Sequence, residues 1–278
     1  MKASASVAPA GPTTRRWRTR AAAISGVVCV GTFVVVFAFG TRLAPYRATA
    51  LAGRSLQPPS SKFLLGTNLL GQDVLSQLIL GTRVSVEVAI LAGLGTVLLG
   101  GFVGITAGWF RGLTDAVLMR VTDLVLVIPK LPLLLLAGAL TGGSVTALSL
   151  LIALTFWPVA ARILRSQVLS LRGRTHVRAA AGFGAGSWHQ LRRHILPELA
   201  LLGVAEFIGA AARAVVLQAG LAFLGVGSVT QASWGAMTRD ALAYRGLFVT
   251  SAWKWWLVPP VIAVMALVVG IALIGTTA

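Results

Sequence analysis

The sequence predicts an all-α polytopic membrane protein with six transmembrane helices and both termini in the cytoplasm. Three observations carry that expectation. Hydrophobic residues make up 56% of the 278 and charged residues only 11%, with a mean hydropathy of +0.86, whereas a soluble domain carries about a quarter charged residues. Uncharged apolar runs recur at the length of about 20 residues that a helix needs to cross the hydrocarbon core. Between two such runs lies one long basic segment, residues 162–197, with seven arginines, all three histidines (His176, His189, His194) and no acid before Glu198. An excess of arginine in a short loop opposes its translocation, so this loop belongs in the cytoplasm and orients the rest.

The formal charge of +17 would suggest nucleic acid in a soluble chain. Here the arginines flank apolar spans, where lipid phosphate and the positive-inside bias account for them, so membrane lipid is the expected partner and nucleic acid is not. The single cysteine, Cys29, lies within the first apolar run and offers neither an intrachain disulfide nor a metal cluster.

Taken in order, residues 1–20 read as a disordered cytoplasmic tail whose Arg15, Arg16, Arg18 and Arg20 anchor a first transmembrane helix at 21–42. A signal peptide is the alternative, but the run is long for an h-region and no small-residue cleavage site closes it. Residues 43–83, rich in Pro, Gly and Ser, form an external segment in which Asp73 is expected to cap or pin an amphipathic helix leading into the membrane. Residues 84–278 then form a transmembrane domain of five helices. Its first helix, 84–109, carries Glu87 near the outer end, and Gly100, Gly104 and Gly108 form one smooth face for close helix packing.

The third span runs from Asp115 through Ile128-Pro129-Lys130-Leu131-Pro132 to about residue 140. Lys130 falls well inside it, and an ionisable group in hydrocarbon must face protein or water. Asp123, two turns away on the same face, and Glu206 on the fifth span are its candidate partners in an interhelical ion pair, and lining a path through the membrane is the alternative role for these charges. After a turn at residues 141–144 the fourth span, 145–161, leads into the basic loop.

Within that loop Ala179 to Ala181 favour helix, and Gly182 and Gly184 interrupt it where a change of direction or a close approach needs no side chain. Ser187 is placed to cap a second short helix at 188–194, and Pro197 to restart the chain into the fifth span. The fifth span, 197–220, carries Glu206 and Arg213. Trp253, Trp255 and Trp256 read as an interfacial belt before the last span, 257–274.

Arg178-Ala179-Ala180, three intervening residues, Gly184 and the terminal Ile195-Leu196-Pro197 resemble the coupling loop of the permease subunits of ABC importers. That loop reads Glu-Ala-Ala, three residues and Gly before an Ile-x-x-Pro-like end, so Arg178 stands where the family has Glu. Leu65-Gly66-Thr67-Asn68 and Gly71-Gln72-Asp73-Val74-Leu75-Ser76 are similar to the Leu-Gly-Thr-Asp and Gly-Arg-Asp-Val-Leu-Ser of C-type permeases of dipeptide, oligopeptide and nickel importers. Asn68 and Gln72 are the substituted positions. Residues 221–227 and Ser233-Trp234-Gly235 match that family's outer segment.

The resemblance implies a type I importer permease fold in the bacterial inner membrane. It implies a sister permease in a heterodimer, two ATPase subunits that bind ATP and Mg, and an extracytoplasmic binding protein. It makes Arg178, Ala179, Ala180, Gly184, Ile195 and Pro197 the ATPase-coupling residues and sets Ser233, Trp234 and Gly235 at the external mouth. Short peptides are the implied solutes, with nickel chelates and haem-like ligands as alternatives.

The chain itself holds no enzyme signature. None of its four lysines, Lys2, Lys62, Lys130 and Lys254, follows a glycine, so a Gly-Lys-Ser/Thr phosphate loop is absent. A nucleophile elbow, a His-Glu-x-x-His helix and a cysteine pair are absent too. No catalytic residue, cofactor or metal ligand is therefore expected. The competing reading is a secondary transporter or channel that runs on intramembrane charges alone, and the coupling loop argues against it.

Overall fold

The computed structural model describes residues 12–228 and 231–275, with side chains from residue 22 onward. Residues 1–11 of the expected tail lie outside that range. From Pro12 the tail is already helix, continuous with the first span as α1 (Pro12–Leu43). Pro12 sits at the first helical position, where its fixed φ and missing N–H suit a helix start.

After a segment of turns, α2 (Val74–Phe110) begins well before the expected span because Asp73 caps it. The Asp73 carboxylate accepts hydrogen bonds from Ser76 N at 2.9 Å and Ser76 Oγ at 2.6 Å. There follow α3 (Gly112–Val127), α4 (Lys130–Leu140) and α5 (Val145–Arg172). Next come α6 (Thr175–Gly182), α7 (Ser187–Gln190), a π turn (Leu191–Ile195) and α8 (Leu196–Phe223). The chain ends in α9 (Trp234–Ala243), α10 (Trp253–Trp256) and α11 (Val258–Gly275).

The axis of the molecule is the parallel pair α2 and α5. A Cβ added at Gly100 would lie 2.8 Å from Trp157 O, and one at Gly108 would lie 3.0 Å from Arg165 O; at Gly104 it would run into the Ala161 carbonyl. The glycine face thus packs within the chain, backbone against backbone, as small-residue faces do where lipid supplies no hydrophobic drive. α8 runs antiparallel to α2, with Gly93 against Phe207 and Gly81 against Trp234. α1 lies antiparallel to α11, Gly26 meeting Gly270 and Cys29 Sγ donating to Ala266 O at 3.3 Å.

Among the described residues, five helices are long and apolar enough to cross a membrane, and α3 with α4 form a further pair bent by 81°. The expected single third span is therefore broken. Pro129 removes the N–H that would continue α3 and drives Ile128 into an extended conformation, ψ 126°. Pro132 then falls in the first turn of α4, where a missing N–H is harmless.

Connectivity makes this pair a crossing rather than a re-entrant loop. α2 ends beside the basic loop, where Trp109 shares a cluster with Val177 and Ile195. Gly138 and Gly143 touch Val226 and Gly227, beyond the opposite end of α8. The chain has to traverse the bundle between Gly112 and Leu140 for α2 and α5 to be parallel. Six crossings result, and α1 begins and α11 ends at the end that bears the loop.

The expected tryptophan belt is only partly a belt. Trp255 and Trp256 are buried, at 9% and 2% exposure, and Trp255 Nε1 donates to Thr67 O at 3.3 Å; Trp253 alone reaches the surface. They tie the 44–73 segment to the start of α11.

Candidate functional site

At one end of the bundle the basic loop folds as a helix, a glycine turn and a second helix. α6 ends in paired hydrogen bonds, Gly184 N to Ala181 O and Ala185 N to Ala180 O, both 3.0 Å. This is the Schellman arrangement, which requires the residue past the helix cap to be left-handed, and Gly184 has φ +85°. Nothing lies within 4 Å of a Cβ placed there, so Gly184 faces open space. Gln190 Nε2 closes the turn by donating to Ala185 O at 2.6 Å.

The loop is mounted through its apolar side. Val177 of α6 and Ile195 of the π turn, 2% and 0% exposed, join Trp109, Leu164, Val168, Leu171 and Leu199 in one cluster. Around this core, Arg174 and His176 meet Glu198 at 2.7 Å and 3.3 Å. Arg172 stacks on the Trp109 ring at 4.7 Å and donates to Trp109 O. The mount leaves the opposite side free: Arg178, Ala179, Gly184 and Pro197 are exposed and Ala180 is half-buried.

Two large aromatic side chains project from the turn, Phe183 at 92% and Trp188 at 69% exposure. The charge of the loop points to Trp188 but not to Phe183. The overlooked signal was a lone apolar residue between Gly182 and Gly184 in a basic stretch.

The second helix of the loop does not stop before Pro197. It continues into α8, and Leu196 N reaches back five residues to Leu191 O. The expected restart at Pro197 is thus replaced by a π turn. The proline ring would clash with the carbonyl four residues before it, and widening the preceding turn relieves this without ending the helix.

The intramembrane charges also pair differently from expectation. Asp123 bonds Arg162 of α5 at 2.6 Å, and Asp115 holds Arg165 through two bonds of 2.5 and 2.6 Å. These pairs fasten α3 to α5. Lys130, beyond the 81° break, no longer shares a face with Asp123; its Nζ lies 4.3 Å from the centre of the Phe156 ring. No ion pair joins it to Glu206, which is half-buried on α8, among the described residues.

At the far end, Ser233 caps α9 by accepting from Ala236 N at 3.3 Å and lines a cavity of about 280 Å³. Trp234 and Gly235 are packing residues. Trp234 is 1% exposed with Nε1 bonded to Leu78 O at 3.0 Å, and Gly235 lets α9 approach the Ala219 backbone.

The 44–73 segment is ordered by amides at this end. Asn68 Oδ1 accepts from Leu70 N and Gln72 N, both 2.9 Å, while its Nδ2 donates to Gln72 Oε1 at 2.8 Å. Gln77 Nε2 donates to the same Gln72 oxygen at 2.8 Å and to Ala48 O at 3.0 Å.

A chain whose helices cross six times and carry a mounted turn at one end can be compared with known proteins on that footing. Residues 100–278 match the binding-protein-dependent transport system inner membrane component family. The chain belongs to that family. It is a multi-pass permease component of a bacterial inner membrane. Among its relatives is a candidate peptide permease of Brucella suis, 32% identical over 95% of this chain and 88% of the relative. The oligopeptide transport system permease protein of Mycobacterium bovis is 33% identical over 90% and 86%. The dipeptide transport system permease protein of Alkalihalophilus pseudofirmus is 29% identical over 91% and 82%.

Proposed function

We infer that this permease forms, with a sister permease, the membrane path of an ATP-driven importer of short peptides. The observation that carries the reading is the turn at Gly184. A helix pair is held rigidly from behind by Val177 and Ile195 and presents Phe183, Trp188 and an open backbone outward. Aromatic anchors on a rigid mount are what a protein docking surface requires. In this reading the loop lies in the cytoplasm and docks on an ATPase subunit, and ATP with Mg is bound and hydrolysed there. An extracytoplasmic binding protein delivers solute at the Ser233 end. Peptide as solute rests on the names of the relatives. Lys130 and Glu206, on helices α4 and α8, are the intramembrane charges this reading assigns to the path.

Two substitutions at one position separate docking from mere turn formation. Gly184→Asn keeps a residue that tolerates the left-handed conformation, whereas Gly184→Ala strains the backbone by about 1–2 kcal/mol. Both add a side chain on the open face. Docking at this backbone predicts that both variants insert normally and lose ATPase subunits on purification. Retention of the ATPases by Gly184→Asn reduces the residue to a turn former and removes the contact.

Orientation is checked by cysteine labelling in a Cys29→Ser background. An impermeant thiol reagent applied to intact cells should modify Ser233→Cys and not Ser187→Cys, and the reverse pattern would invert the assignment.

A further inference from the structure

A second cavity at the far end, about 540 Å³, lies between the end of α1, the 47–49 segment, α2 and residues 231–232. It adjoins the Ser233 cavity, the two sharing Ala48, Thr49, Gln231 and Ala232. Its charged lining is Arg47, Arg83 and Glu87. Arg83 and Glu87 stand one turn apart on α2, and Arg47 enters from the segment that precedes it. Among the described residues none of the three is in an ion pair. Every other acid that the structure brings within reach of an arginine is paired: Asp115, Asp123, Glu198 and Asp240.

Two guanidinium groups and one carboxylate in a cavity of this size match a small zwitterion. Guanidinium groups form paired hydrogen bonds with a carboxylate, and a half-buried carboxylate takes an ammonium group. The volume falls within the range of small-molecule sites. A lipid headgroup carrying phosphate and amine has related chemistry, but the cavity is walled by the 47–49 segment and by residues next to Ser233, on the side of the expected mouth.

The geometry points to a receiving site for the two charged termini of a short peptide, Arg47 and Arg83 holding its carboxylate and Glu87 its ammonium group, beside the Ser233 mouth. This deepens the peptide reading above and rests on it.

The test uses the full chain with Cys29→Ser and Thr49→Cys, the latter residue being exposed on the cavity wall, in nanodiscs of phosphatidylglycerol. Maleimide modification of Thr49→Cys is timed with and without alanyl-alanine. The dipeptide should slow the reaction, and N-acetyl-alanyl-alanine amide, which lacks both charges, should not. Glu87→Gln and Arg83→Gln should each raise the concentration giving half-protection about tenfold, as loss of one charge-assisted hydrogen bond does. The wild-type labelling rate in these variants without dipeptide serves as the check that the fold is intact.

Equal protection by the two peptides, or unchanged half-protection in both variants, overturns the site. Protection that follows phosphatidylethanolamine in the bilayer instead of the dipeptide assigns the cavity to a lipid headgroup and also overturns it. Uptake of radiolabelled alanyl-alanine by cells is measured in parallel. Uptake without protection removes this cavity alone, whereas absence of both removes the peptide reading with it.

Discussion

The two ends of this permease are held together by different physics. At the loop end an apolar cluster centred on Ile195 sets the position of α6 and α7, and the contacts of Arg174 and His176 with Glu198 lie around it, half exposed. At the far end Phe63 is buried and Leu56 and Leu65 pack on the core, and the course of the 44–73 segment is further fixed by hydrogen bonds among Asn68, Gln72, Gln77 and the backbone, with Thr67 Oγ1 donating to Arg54 O at 2.6 Å and accepting from Gln57 N at 2.8 Å. Apolar contact is non-directional and tolerates small displacements; a network of amides specifies one geometry and loses much when any member is missing. The loop end is therefore built to be firm yet movable as a unit, and the far end to keep a fixed shape.

The comparison can be broken first where the two ends are joined. Gly104→Leu places a branched side chain against the Ala161 backbone, which has no flexible end to move aside. Overpacking of this kind costs about 3 kcal/mol or more. It should separate α2 from α5 and lower the thermal stability of both ends together, read as loss of the monodisperse detergent-solubilised protein. A variant that purifies and melts as wild type would show that the α2–α5 contact is not the axis.

Ile195→Ala acts on one end alone. Removing a fully buried branched side chain costs about 2–5 kcal/mol. The expected outcome is faster hydrogen exchange across α6 and α7 with unchanged exchange in the 44–73 segment. Spread of the effect to the far end would mean that the two regions are not independent.

A smaller effect sharpens the picture of the far end. Asn68 and Gln72 stand where the motif they resemble has Asp and Arg, and these two side chains bond each other at 2.8 Å. Asn68→Asp or Gln72→Arg alone should each destabilise by about 1 kcal/mol, and the double variant should recover most of that loss. Additive losses in the melting temperatures of the four proteins would show that the two positions do not act as a unit.

Much of this architecture was legible in the sequence for simple reasons. Span number followed from apolar run length, the packing face of α2 from Gly100, Gly104 and Gly108 at four-residue spacing, and the cap at Asp73 from its place before an apolar run. The loop's helix, turn and helix followed from three alanines and two glycines. What stayed hidden was contact between distant positions. Arg162 and Asp123 are 39 residues apart, and Arg165 and Asp115 are 50, so no local spacing joins them. Hydropathy treats residues 115–140 as one rod and so sets Lys130 beside Asp123, whereas Pro129 divides that rod. The continuity across Pro197 was hidden for the opposite reason: a proline usually signals an end, and a single wide turn let the helix absorb it.

That continuity has a mechanical meaning. From Ser187 to Phe223 the chain is one helical run of 37 residues, about 55 Å long at 1.5 Å per residue. It begins beside Trp188 and ends where α9 packs on Ala219. If an ATPase docks on the aromatic tip as proposed, a push there travels along a single beam to the opposite end of the bundle, with no loop to absorb it. The π turn is the one place where that beam has a looser winding, set directly behind the proposed docking tip. Stiffness along the length and a little torsional give at the handle let such a rod turn in its bearing without snapping its own hydrogen bonds.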